Sequence, residues 1–125
     1  MATFIGSPEM NLYRGRLVHK DGRPNFQGTG FSLDLGRIRL KVSEGEVEMG
    51  IRPEDIEIGQ GKNMVLQAKA EIINNVGSEK YIYARIGQES MTLRAPKDTP
   101  IQPGKVIPLN IDPNLVHIFH NGRRI

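Results

Sequence analysis

A chain of 125 residues that is 38% hydrophobic can bury one compact core, and without cysteine it must be held by packing, since neither a disulfide nor a cysteine metal site is open to it. Its 17 basic and 14 acidic residues leave a formal charge of +3, with Lys and Arg placed singly and often beside acids; this describes a mixed solvated surface, and a nucleic-acid groove would need them gathered on one face of the fold. No apolar run approaches the roughly 20 residues of a spanning helix, and Met1-Ala2-Thr3-Phe4 opens no signal peptide, so a soluble, intracellular chain is expected.

Apolar-polar alternations recur about every ten residues between Gly, Pro and Asn, and none holds helical spacing beyond one turn, which is the pattern of an all-β chain. The first strand is expected over Leu12–His19, ended by the tight-turn pair Asp21-Gly22 and followed by a second turn-rich stretch at Pro24-Asn25. Strands over Gly30–Leu35 and Arg37–Val42 come next, with Gly36 as a bend or bulge between them. In Glu46–Ile51 the residues Val47, Met49 and Ile51 alternate with Glu46, Glu48 and Gly50, the period of a half-buried strand. Pro53 ends that ladder because it has no N–H to donate, and Glu54 and Asp55 place carboxylates at the start of one helical turn. Gln60-Gly61-Lys62-Asn63 reads as a loop within one domain. Further strands are expected over Val65–Ile73, Lys80–Ile86, Ser90–Ala95, Lys105–Ile111 and Leu115–His120, after which Asn121-Gly122 signals a hairpin returning through Arg123-Arg124-Ile125. Fourteen glycines suit the tight bends of a small barrel, so the fold expected is OB-like, or a pair of intertwined antiparallel sheets with at most short helical turns.

Several residues invite a chemical reading and are answered by local pattern. Gly28-Thr29-Gly30 is followed by the strand pattern Phe31 to Leu35 instead of a helix that could hold an anion, so a hairpin turn is favoured over a phosphate loop. His117 and His120 have helical ligand spacing, yet on a strand they face opposite sides with no third ligand close in sequence. Ser78 with Glu79, or Asp112 with His117, lacks the nucleophile elbow or triad order of a hydrolase. Tyr81 and Tyr83 lie on one strand face beside Lys80 and Arg85, where they could stack bases; packing against the other sheet or a partner is favoured. Arg52 and Glu54 flank Pro53, where an internal ion pair and cap is favoured over a contact surface.

Gly50-Ile51-Arg52-Pro53-Glu54 resembles the G-I-R-P-E signature in the C-terminal regulatory region of the ATP-binding subunits of carbohydrate ABC importers, the maltose and glycerol-phosphate class. That region is called TOBE, a transport-associated OB domain. Asn75-Val76-Gly77-Ser78-Glu79 resembles its L-G-x-E turn, His117-Ile118-Phe119-His120-Asn121-Gly122 its H-L-F-x-x-x-G close, and Phe4 to Asn11 the linker leaving the ATPase domain. Two positions depart from the family: Val76 stands where Leu is usual, and His120 where Asp often follows the Phe.

The resemblance implies residues 1–10 as linker and 11–125 as the regulatory domain, with strands from both halves intertwined. It implies a domain that is not itself an enzyme and binds no cofactor, ATP and Mg belonging to the ATPase domain. The chain agrees: Gly61-Lys62 is followed by Asn63, Ile56 stands where a Walker A loop needs its first glycine, and L-S-G-G-Q is absent. The implied partners are a second copy of this domain, the ATPase domain, the transporter's membrane subunits and a regulatory protein or small molecule, on the cytoplasmic face of the plasma membrane. Gly50, Ile51, Arg52, Pro53, Glu54, Asp55, Gly77, Glu79 and Phe119 are the interface candidates. The alternatives are a free-standing single-strand nucleic-acid-binding barrel and an oxyanion-binding domain of the molybdate type.

Overall fold

The computed structural model describes residues 10–36, 44–59, 64–120 and 123–124, and among them the structure is all-β, interrupted by two 3-10 turns. Eleven strands follow in order: β1 (Asn11–Lys20), β2 (Arg23–Gln27), β3 (Ser32–Asp34), β4 (Gly45–Ile51), β5 (Ile56–Ile58), β6 (Met64–Val76), β7 (Glu79–Ile86), β8 (Glu89–Pro96), β9 (Val106–Ile111), β10 (His117–His120) and β11 (Arg123–Arg124). One sheet has the order β11-β10-β4-β1-β2-β3 and the other β5-β9-β6-β7-β8, with every pairing antiparallel. The C-terminal strand β10 thus returns to pair with β4, which intertwines the two halves as expected. The five-stranded sheet curls until its edges β5 and β8 approach, giving a nearly closed, OB-like barrel.

One core cluster draws on both sheets. Tyr13, Leu17, Phe26, Met49 and Ile51 from the first meet Ile82, Leu93, Leu109 and Ile111 from the second. These are alternate residues of their strands, and the pleat turns them all inward. A bulge between Ala70 and Ile72 lets the long β6 keep pairing with β7 while it bends.

The expected strands are present where the structure describes them, with adjusted ends. Asp21 and Gly22 form the two-residue turn between β1 and β2, at φ 54° and 78°. The stretch at Pro24-Asn25 is strand β2 and not a second turn-rich segment. Pro24 is tolerated there because it is the second residue of the strand, its carbonyl still accepts from the Leu35 N–H at 2.9 Å, and fully buried Phe26 anchors the strand to the core. Strand β3 begins at Ser32, since Gly30 sits at φ 84°. Strand β5 was too short to show an alternation. Pro113–Leu115 is a 3-10 turn, with the Asp112 carboxylate accepting from the Asn114 N–H at 2.9 Å, so β10 starts after it. The expected strand over Arg37–Val42, the loop Gln60 to Asn63 and the turn Asn121-Gly122 lie outside the described residues.

Two devices join the sheets. The Asn11 carboxamide of β1 bonds both backbone groups of Thr92 on the free edge of β8: its Oδ1 accepts from the Thr92 N–H at 2.8 Å and its Nδ2 donates to the Thr92 carbonyl at 2.8 Å, and also to the Ile51 carbonyl at 3.1 Å. Two residues on, the Tyr13 hydroxyl donates to the Ser90 carbonyl at 2.8 Å. On the other side, Gly87 in the β7–β8 turn, at φ 57°, lies against Gly30, where a Cβ would meet the Gly30 carbonyl oxygen at 2.5 Å.

Asn11→Ala is expected to destabilise the chain by about 2 to 3 kcal/mol, the sum of bonds worth roughly 0.5–1.5 kcal/mol each, read as a fall in midpoint in urea. Gly77→Ala has positive φ and open space and should cost about 1 kcal/mol, whereas Gly87→Ala should cost at least about 2 kcal/mol because the clash adds to the backbone strain. Burial, with the Glu89 carboxylate second, raises the Tyr13 pKa above the ordinary phenol value of 10.0. The raised group stays protonated in the fold while the unfolded chain ionises, so its contribution is complete below about pH 10 and is lost as pH climbs beyond that. Tyr13→Phe should flatten this alkaline decline in denaturation midpoints.

Candidate functional site

Ile51 is the last residue of β4, and Pro53, buried, opens the 3-10 turn Pro53–Asp55 that packs on β8. The turn is closed by backbone alone: Asp55 N–H to the Arg52 carbonyl at 2.9 Å and Ile56 N–H to the Pro53 carbonyl. No side chain caps it, and among the described residues neither Arg52 nor Glu54 enters an ion pair, so the expected internal pair and cap is absent. The reason is geometric: the backbone bonds and buried Pro53 already fix the turn, and both charged side chains stand in solvent.

The two-residue turn Gly77-Ser78 joins β6 to β7, with Val76 opposite Glu79 and Gly77 at φ 81°, a conformation that favours glycine. Its Ser78 carbonyl accepts from the Lys97 N–H at 3.1 Å, which ties the end of β8 to this turn.

These two segments converge. Glu54 from the first and Ser78 and Glu79 from the second line one concavity of about 340 Å³ with Arg94, Ala95 and Pro96 of β8. Arg94 pairs with Glu79, Nε to Oε2 at 3.5 Å, with both side chains over a third exposed. The result is a shallow acidic corner with one cation. Arg94 was not singled out from the sequence, although counting back along β8 from the two-residue turn Gly87-Gln88 places it opposite Tyr81 and next to Glu79.

The other candidates lie elsewhere. Gly50 is buried under Met10 and Leu12 on the outer face of the six-stranded sheet, between Leu12 and His117 in register. Phe119 shares that face, stacked on His117 with ring centroids 6.4 Å apart, and borders an open groove with Arg14, Arg16, Glu46 and Glu48. Phe119 therefore does not join the corner at Glu54 and Glu79. Tyr81 is 4% exposed and Tyr83 39%, so one ring of the pair is packed and one is presented. Gly28-Thr29-Gly30 is the β2–β3 connection, with the Gly28 N–H on the Phe31 carbonyl at 2.9 Å. Among the described residues no group of three His, Asp or Glu side chains could hold a metal ion, and no helix is long and apolar enough to cross a membrane.

The sequence model of the TOBE domain family matches residues 49–119, more than half the chain and the whole of the corner. The chain belongs to the TOBE domain family. A second family model, the MalK OB fold domain, matches residues 6–56, so the two overlap across the G-I-R-P-E segment. This TOBE domain is 32% identical to the oligosaccharides import ATP-binding protein MsmX of Bacillus subtilis over 93% of its own length and 34% of that protein. It is 27% identical to the sn-glycerol-3-phosphate import ATP-binding protein UgpC of a Jannaschia species, over 100% of its own length and 34% of the other. The chain thus spans about a third of the relatives it matches. The cytoplasmic molybdate-binding protein ModG has the same fold, with TM-score 0.67 over 94% of this chain and 99% of ModG at 14% identity.

An exposed ion pair contributes little to stability. Arg94→Gln is therefore expected to change the unfolding free energy of the TOBE domain by less than about 0.5 kcal/mol, measured by urea titration.

Proposed function

We propose that this chain is the regulatory and pairing domain of the ATP-binding subunit of a sugar-class ABC importer, and that it is not itself catalytic. The observation that carries the reading is that the family's two hallmark segments, separate in sequence, meet in one acidic corner around Arg94, in a chain matched throughout by a third of each importer subunit. On this reading ATP and Mg bind the ATPase domain of the same subunit, the transporter's membrane subunits hold the assembly at the cytoplasmic face, and the corner with Phe119 on the other sheet offers contact surface to a partner domain or regulator. Pairing is supported by the outer face of the five-stranded sheet, where Ile72, opposite Tyr83, is 62% exposed and Val106, opposite Lys69, is 64% exposed. A regulator acting here needs no chemistry, only tighter binding to one state of the transporter than to the other.

The fold likeness to a molybdate-binding protein at 14% identity carries no ligand with it. With Tyr81 packed, the base-stacking alternative is left with one presented ring of the pair.

An antibody raised against this chain should detect, in source-cell lysate, a product well above 14.0 kDa that sediments with membranes and leaves them when the transporter's membrane subunits are deleted. A soluble band at 14.0 kDa would overturn the importer reading. Sedimentation equilibrium of the chain should reveal a concentration-dependent dimer weakened at least about tenfold by Ile72→Asp; a chain monomeric at the highest concentrations reached would sink the pairing role.

A further inference from the structure

The segment from Lys97 to Lys105, between β8 and β9, borders an open concavity of about 510 Å³ together with Lys80 of β7 and Ile107 of β9. Among the described residues three lysines line it, Lys80 from β7 and Lys97 and Lys105 from the two ends of the loop, with one acid, Asp98. Its apolar side is formed by Pro100, Ile101 and Ile107. Ile101 packs on the core cluster and Ile107 belongs to it, so this surface does not depend on a mobile flap.

The loop is held at both ends. Lys97 N–H donates to the Ser78 carbonyl at 3.1 Å, Gly104 N–H to the Ala70 carbonyl at 2.7 Å, and Ala70 N–H to the Lys105 carbonyl at 2.9 Å. In the middle, the Lys80 ammonium donates to the Thr99 carbonyl at 3.1 Å. That bond uses one of the three ammonium protons and fixes the group at the mouth with two donors to spare. The arrangement is a preformed cup, cationic at the rim and apolar on one side.

We propose that this cup binds a small organic phosphate ester. Lysine meets phosphate as a point charge, and three ammonium groups around one opening favour a dianion. A volume of about 510 Å³ falls within the roughly 300–1,000 Å³ of small-molecule sites and far exceeds one inorganic oxyanion, leaving room for a carbon body against Ile101 and Ile107. Among the described residues no aromatic ring lines the cup, so they offer no stacking platform for nucleic acid there. The proposal stands on the cup alone and does not require the importer reading.

Calorimetric titration of the chain at low ionic strength with glycerol 3-phosphate, glycerol, inorganic phosphate and molybdate tests it. The ester should bind saturably at one site per chain, glycerol not at all, and the two inorganic anions at least roughly fivefold more weakly. The Lys97→Gln, Lys105→Gln double variant changes two exposed side chains and should keep the unliganded melting temperature while losing at least about tenfold in affinity. Lys20→Gln, at the far end of β1, should bind as the parent chain does. Should the double variant fail to fold, amide shift changes in the parent chain decide: they are expected at Thr99, Ile101 and Lys105. Absence of saturable binding, molybdate or phosphate binding as tightly as the ester, retention of affinity in the folded double variant, or shift changes confined to the groove at Arg14 and Glu48 would each overturn the proposal.

Discussion

A five-stranded sheet ending in β8 exposes a row of backbone donors and acceptors, and the rest of the fold depends on how β1 answers them. It does so with one side chain that imitates a strand residue. The Asn11 carboxamide carries a donor and an acceptor at the same end, so it can bond the Thr92 N–H and carbonyl together, as a neighbouring strand would. A carboxylate of the same size would leave the carbonyl unpaired, and leucine would leave both. Tyr13 repeats the connection two residues away and keeps its proton because the phenolate could not be solvated where the ring is buried. With β8 fixed to β1, the Pro53 turn has a strand to pack on, and Glu54 comes to line the same concavity as Arg94.

The all-β class and most strands were legible because their alternation is long enough to outvote local propensity. Turn chemistry was legible too, since Asp21-Gly22 and Gly77 need positive φ and take it. What stayed hidden was of two kinds. Strands β2 and β5 are short, and a proline inside β2 reads as a turn until Phe26 is seen to anchor it. The Asn11 bridge spans 81 residues of sequence, and nothing near Asn11 or Thr92 announces it. Arg94 lies between these cases, being reachable by register arithmetic once the turn at Gly87-Gln88 is accepted as two residues long.

The corner also shows what the resemblance could and could not carry. Its segments were legible as strings, and their convergence comes from topology, since the 3-10 turn leaves β4 toward β8 while the β6–β7 turn ends the same sheet. Phe119 belongs to a different surface because β10 pairs with β4 on the opposite sheet. A family signature marks residues that keep a fold together as readily as residues that touch a partner. Here Ile51 and Pro53 are buried and do the first, while Arg52 and Glu54 are exposed and hold no place in the core.

The acidic corner and the lysine cup share one backbone tie. Ser78 lines the corner while its carbonyl holds the Lys97 N–H of the cup's loop, and Glu79 and Lys80 are consecutive residues turned to opposite faces of β7. A ligand that fits the loop as the structure holds it would leave the Ser78 bond, and with it the corner, unchanged; only a ligand that preferred a different position of the loop would act on that bond, and by no more than its preference between the two positions.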